Sequence, residues 1–95
     1  MPQIIWSRNA LDDIERLHVF LKAKSESAAV RAVKAILEAG RQLEKFPTIG
    51  KPVIRRLNHR DIIKPFGAGA YVIRYRIKSE NILVILKVWH SKENR

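Results

Sequence analysis

The chain has 95 residues, 46% hydrophobic and 29% charged, a composition for one folded domain over 1–95 rather than a disordered chain. It holds no cysteine, which excludes disulfides, thiolate zinc sites and cysteine nucleophiles. The net charge is +10, and residues 47–95 carry +8 of it, so an acidic partner is expected, either a protein segment or nucleic acid.

No apolar run reaches the roughly 18 residues that a membrane helix needs. The opening "MPQIIWSRNALDD" has neither the basic nor the apolar region of a signal peptide. A soluble, cytoplasmic protein without membrane association is expected. "QIIW" (3–6) reads as a short strand, and Ser7 is placed to cap a helix from about 8 to 23. Leu11, Ile14, Leu17, His18 and Leu21 recur at helical spacing, with Asp12, Asp13 and Glu15 in the early turns, where the helix dipole favours anions. "KSES" interrupts the pattern, and Ser25 or Ser27 caps a second helix from Glu26 to Phe46. Its stripe is Ala29, Val33, Ile36, Gly40 and Leu43, widened by Val30 and Leu37. Gly40 weakens a helix interior, so it is expected where another element approaches closely.

Residues 46–60 contain two prolines, a glycine and no stable period, and read as a connection. Three strand-like runs follow at 61–66, 70–77 and 82–89, with "KSEN" (78–81) as a hairpin turn between the last two. The order β-α-α-β-β-β predicts an α+β fold, a helical hairpin packed on one face of a small antiparallel sheet. Alternation then turns Tyr71, Ile73, Tyr75 and Ile77 towards the helices and Val72, Arg74 and Arg76 towards the open face.

The stretches "IIWSRNALDDIERLHVFL", "LEKFPTIGKP", "PFGAGAYVIRYRI" and "ILVILKVWHSKE" resemble, in order and over nearly the whole chain, the RelE/ParE toxins of bacterial type II toxin–antitoxin modules. "WSxxALDDIERL", "FPxxGxP" and "PFGAGAYVIRYR" are closer to the ParE, or plasmid stabilisation, side. The resemblance implies a growth-inhibiting toxin held in a hetero-oligomer by a cognate antitoxin with an acidic segment. ParE-like members poison DNA gyrase; RelE-like members cut mRNA on the ribosome. A degenerate toxin kept as a binding module is a third reading.

RNA cleavage through a 2′-hydroxyl needs a base, an acid and cations around the phosphate. RelE-like toxins carry an arginine directly after the tyrosine that opens the 71–77 strand, a basic residue after the last strand and a tyrosine beyond it. This sequence has Val72 at the first position, Lys92 at the second, and no tyrosine after it. The resemblance thus leaves the nuclease set incomplete, which leans away from an enzyme. Arg74, Arg76, His90 and Lys92 are the residues a nuclease would have to use. His90 is a residue type suited to proton transfer, with a plainer reading as a strand terminus. Trp89, beside Lys87 and His90, reads as a core tryptophan or as a stacking surface. The candidate surface for target or antitoxin comprises Arg55, Arg56, Arg60, Arg74, Arg76, Lys87, Trp89, His90 and Lys92. No metal-ligand spacing, P-loop or Ser-His-Asp set is present, so no metal or cofactor is expected.

Overall fold

The computed structural model describes residues 1–93. Strand β1 (Gln3–Trp6) leads into helix α1 (Arg8–Lys22), which turns at 23–25 into α2 (Glu26–Gln42). The chain then forms β2 (Lys51–Pro52), β3 (His59–Phe66), β4 (Gly69–Ser79) and β5 (Ile82–His90). Ser7 caps α1 by accepting from the Ala10 N–H at 3.1 Å, and Ser25 caps α2 by accepting from Ala28 at 3.2 Å. Among the described residues no helix is long and apolar enough to cross a membrane.

The five strands form one sheet in the order β1-β5-β4-β3-β2. Three pairings are antiparallel, as expected, but β1 runs parallel to β5, so the sheet is mixed. A parallel neighbour requires a long crossover, and here the helical hairpin with β2 to β4 supplies it. The two-residue β2 lies inside the stretch that the sequence presents as a connection.

The helices cover one face of this sheet. Tyr71, Ile73 and Tyr75 of β4 and Leu83, Ile85 and Val88 of β5 are buried against Leu17, Ile36 and Leu43. On the helices, however, the buried stripe differs from the expected one. Ala29, Ile36 and Leu43 are buried as expected, but Leu11, Val30 and Leu37 are exposed, while Ala10, Asp13, Ala32 and Ala39 face inward. Alanine lets a helix backbone approach the sheet, so the contact stripe follows small residues that a hydropathy pattern weighs lightly. Gly40 does mark a close approach: a Cβ there would collide with the Trp6 ring.

Two links position the far end of β5. A register shift opposite Arg74 and Tyr75 leaves Leu86 as an extra residue, a β-bulge. β1 ends at Trp6, opposite Ile85, so beyond that point α1 takes over the exposed edge of β5. The Leu86 carbonyl accepts from the Ser7 hydroxyl (3.2 Å) and the Asn9 amide (3.1 Å), and Asp13 accepts from the Val88 N–H at 2.9 Å. Asp13 is therefore mostly buried as an edge partner of the sheet, not an exposed anion serving the helix dipole.

Candidate functional site

The "FPxxGxP" segment is built around Tyr75. Its hydroxyl donates to the Pro47 carbonyl at 2.8 Å and accepts from the Gly50 N–H at 3.0 Å. A Cβ on Gly50 would lie 2.7 Å from the Tyr75 ring, so only glycine fits without displacement. Arg60 pairs with Tyr75 across the strands, and its guanidinium donates to the carbonyls of Thr48 (3.1 Å) and Gly50 (2.7 Å). Arg60 thus clamps the 48–50 turn and does not stand on the open face.

The open face carries Arg74, Arg76, Lys87 and Trp89, together with Val72 and Ile63. Arg74 is not a free cation. It makes a two-pronged pair with Asp61, at 2.8 and 3.0 Å, and lies 5.2 Å from the centre of the Trp89 ring. The hydrogen bonds to Asp61 raise the Arg74 pKa, opposed by partial burial and assisted by the Asp61 charge. Arg76 and Lys87 are exposed and, among the described residues, have no ion-pair partner. Val72 sits across from Trp89 on one side and Ile63 on the other, so the centre of this face is apolar with cations around it.

His90 is on the other side of the sheet. It lies across from Tyr71, with the two rings edge to face at 5.0 Å. Its Nδ1 accepts from the Lys92 N–H at 3.1 Å, which leaves the proton of a neutral ring on Nε2, 3.0 Å from the Phe66 carbonyl. Both ring nitrogens are engaged with backbone. His90 and Lys92 border a groove of about 600 Å3, walled by Leu17, Phe20 and Leu21 of α1 and by Phe66 and Tyr71. Burial, then the nearby Glu93 carboxylate, pushes the Tyr71 hydroxyl pKa up. The structure therefore does not bring Arg74 and Arg76 together with His90 and Lys92: the sheet separates the two pairs.

Gly67 and Gly69 shape the groove's rim. Gly67 turns the chain with φ at 63°, and a side chain at Gly69 would collide with Ser91 and His90. Arg55 and Arg56 occupy the loop between β2 and β3, at the opposite end of β3 from the groove. Sequence reasoning missed Asp61 and Arg16. Asp61 meets Arg74 only through the cross-strand register, and Arg16 reaches the Val88 carbonyl (3.4 Å) and Glu93 (3.3 Å) across more than seventy residues.

A family model for the ParE toxin of the type II toxin–antitoxin system, parDE, matches residues 4–95. The chain belongs to this family. Among its relatives is Toxin RelE3 of Caulobacter vibrioides, 34% identical over 95 residues and covering all of both chains. Toxin RelE1 of the same organism is 35% identical over 92 residues, covering 97% of this chain and 96% of the relative. In fold, the chain is similar to a structure described as a chromosomal ParDE TA system from P. aeruginosa, with a TM-score of 0.77. That match covers 95% of this chain and 96% of the other at 19% identity. The ParE resemblance of the four sequence stretches and the α+β hairpin-on-sheet fold are both borne out, and the chain is similar as well to two toxins that carry the RelE name.

Proposed function

We propose that this chain is the toxin of a type II module that arrests growth by inhibiting DNA gyrase, and that it cuts no RNA. The observation that carries this reading is the separation of the candidate nuclease groups. At the centre of the open face Arg74 is bound to Asp61 and Val72 is aliphatic, so the cations left for a phosphate, Lys51, Arg76 and Lys87 among them, stand around it. The proton-transfer candidate, His90, lies behind the sheet with both nitrogens occupied. General acid–base cleavage needs these groups within hydrogen-bond reach of one phosphodiester.

A cytoplasmic antitoxin with an acidic, partly apolar segment fits the groove beside Phe20 and Tyr71, whose lining offers Lys24 and Lys92, Arg16 being paired with Asp13 and Glu93. The toxin and antitoxin then form a hetero-oligomer. The second reading, a ribosome-dependent mRNA endonuclease using Arg74, Arg76, His90 and Lys92, is favoured by the two relatives named RelE. Expression of the chain alone tests both. The gyrase reading expects SOS induction and loss of supercoiling by purified protein, with mRNA intact. Codon-phased mRNA cuts with unaffected gyrase would replace it with the second reading.

A further inference from the structure

The loop between β2 and β3 holds the two most exposed aliphatic side chains outside the first residue: Ile54 is 86% and Leu57 85% exposed. A floppy loop would make this unremarkable, but the loop is held at both ends and within. The Val53 N–H donates to His59 (2.9 Å), Arg56 to Val53 (3.2 Å), His59 to Arg56 (3.2 Å), and Ile77 of β4 to Asn58 (2.9 Å). Arg55 and Asn58 both adopt left-handed backbone, with φ of 67° and 63°. An arginine is held there against its preference, and such conformations persist where surrounding contacts enforce them.

The same loop is basic. Arg55 and Arg56 line a hollow of about 550 Å3 with His59 and Arg60, and no carboxylate contributes to it. Among the described residues neither Arg55 nor Arg56 has an ion-pair partner. The eight residues of β3 place this loop roughly 24 Å from the groove at Phe66.

We infer that residues 53–58 form a protein-docking surface, separate from the groove, for a partner with an apolar contact ringed by carboxylates. Arg55 and Arg56 would meet the carboxylates, and Ile54 and Leu57 the apolar centre. Charge alone also fits nucleic acid, but phosphate contacts need cations and bases need flat stacking partners, and two projecting aliphatics serve neither. Apolar centres with a polar rim are the pattern of protein interfaces. Under the toxin reading, this partner is the protein that the toxin poisons.

The test titrates the full chain with three probes of twelve units: a peptide alternating Glu and Leu, an all-Glu peptide, and oligouridylate. Binding is read by fluorescence and located by amide NMR shifts. The wild type is expected to prefer the Glu-Leu peptide over all-Glu by at least tenfold, with shifts at 53–60. The double variant Ile54→Ser, Leu57→Ser should abolish that preference at an unchanged melting temperature, and Arg55→Ser with Arg56→Ser should weaken both peptides. No preference in the wild type overturns the proposal. So does a preference that survives Ile54→Ser with Leu57→Ser, shifts clustered at Phe20 and Tyr71, or tightest binding of oligouridylate through Ile54 and Leu57. In cells, the same double variant should need at least tenfold more inducer to arrest growth while antitoxin rescue is retained. If the wild type itself leaves growth untouched, the toxin reading fails, and the peptide titration still decides the loop.

Discussion

Tyr75 ties the core to the segment before β2, because its ring is fully buried while its hydroxyl fixes a loop two strands away. Phenylalanine would keep the ring but leave the Gly50 N–H and the Pro47 carbonyl without their partner. Tyr75→Phe should cost roughly 1–3 kcal/mol in a urea melt, the usual penalty for stranding buried polar groups. Gly50→Ala should destabilise by a similar ~1–3 kcal/mol through overpacking, since its new methyl would press on the same ring. A neutral result for both would mean that the turn relaxes away from Tyr75. The hydroxyls of Tyr71 and Tyr75 also set a pH dependence. Burial raises both above the ordinary value of 10.0, reinforced at Tyr71 by Glu93 and partly offset at Tyr75 by the Gly50 N–H and Arg60. From about pH 10 upward the unfolded chain therefore sheds these protons before the folded one does, and stability falls as pH rises. Tyr71→Phe should flatten that decline in melting temperature; an unchanged slope would show that Tyr71 titrates alike in both states.

At the scale of elements, α1 has two tasks: it buries Ala10 and Leu17 on the sheet, and it closes the edge of β5 that β1 leaves uncovered. Asp13→Ala should strand the Val88 N–H and cost about 1–3 kcal/mol, whereas Asp13→Asn keeps an acceptor and should recover most of it. Denaturant midpoints and the exchange rate of the Val88 amide check this, and fast exchange already present in the wild type would refute it. The existence, type and order of the two helices and of β1, β3, β4 and β5 were legible because Ser7 and Ser25 mark helix starts and the periods of 3.6 and 2 change along the chain, whereas the two-residue β2 is too short to show a period. What a period cannot encode is a partner. The parallel pairing of β1 with β5, the bulge at Leu86 and the pairing of Asp61 with Arg74 all depend on register between distant segments. The site was therefore legible in part: alternation places Arg74 and Arg76 on the open face, and it equally separates Trp89 from His90 once β5 is taken to run through His90 rather than to end at 89.

Across the whole molecule, the positive charge of residues 47–95 surrounds the groove and the loop at opposite ends of β3, so long-range attraction to an acidic antitoxin should carry part of the affinity. Affinity for the antitoxin should fall as salt shortens the Debye length from about 10 Å at 0.1 M to about 3 Å at 1 M. Contacts to Phe20 and Tyr71 should leave a salt-resistant remainder, and a salt-independent Kd would remove the basic surface from the footprint. The same separation of surfaces makes Val72 the most discriminating position. Val72 lies between Trp89 and Ile63 on the open face, half-buried, where a longer side chain would project from the side of the sheet that the helices leave uncovered. Val72→Arg would give that face the cation found in RelE-like nucleases, so a chain lacking only this group should begin to cut. In this fold the added guanidinium still has no proton-transfer partner, because His90 faces the groove behind the sheet and donates to Phe66. Groups that act jointly in catalysis contribute little when restored singly. Val72→Arg is therefore expected to produce no mRNA cleavage on ribosomes, measured by primer extension, and no gain in growth arrest. Codon-phased cuts in Val72→Arg, lost again with His90→Ala or Lys92→Ala, would show that the two faces cooperate after all and would overturn the gyrase reading.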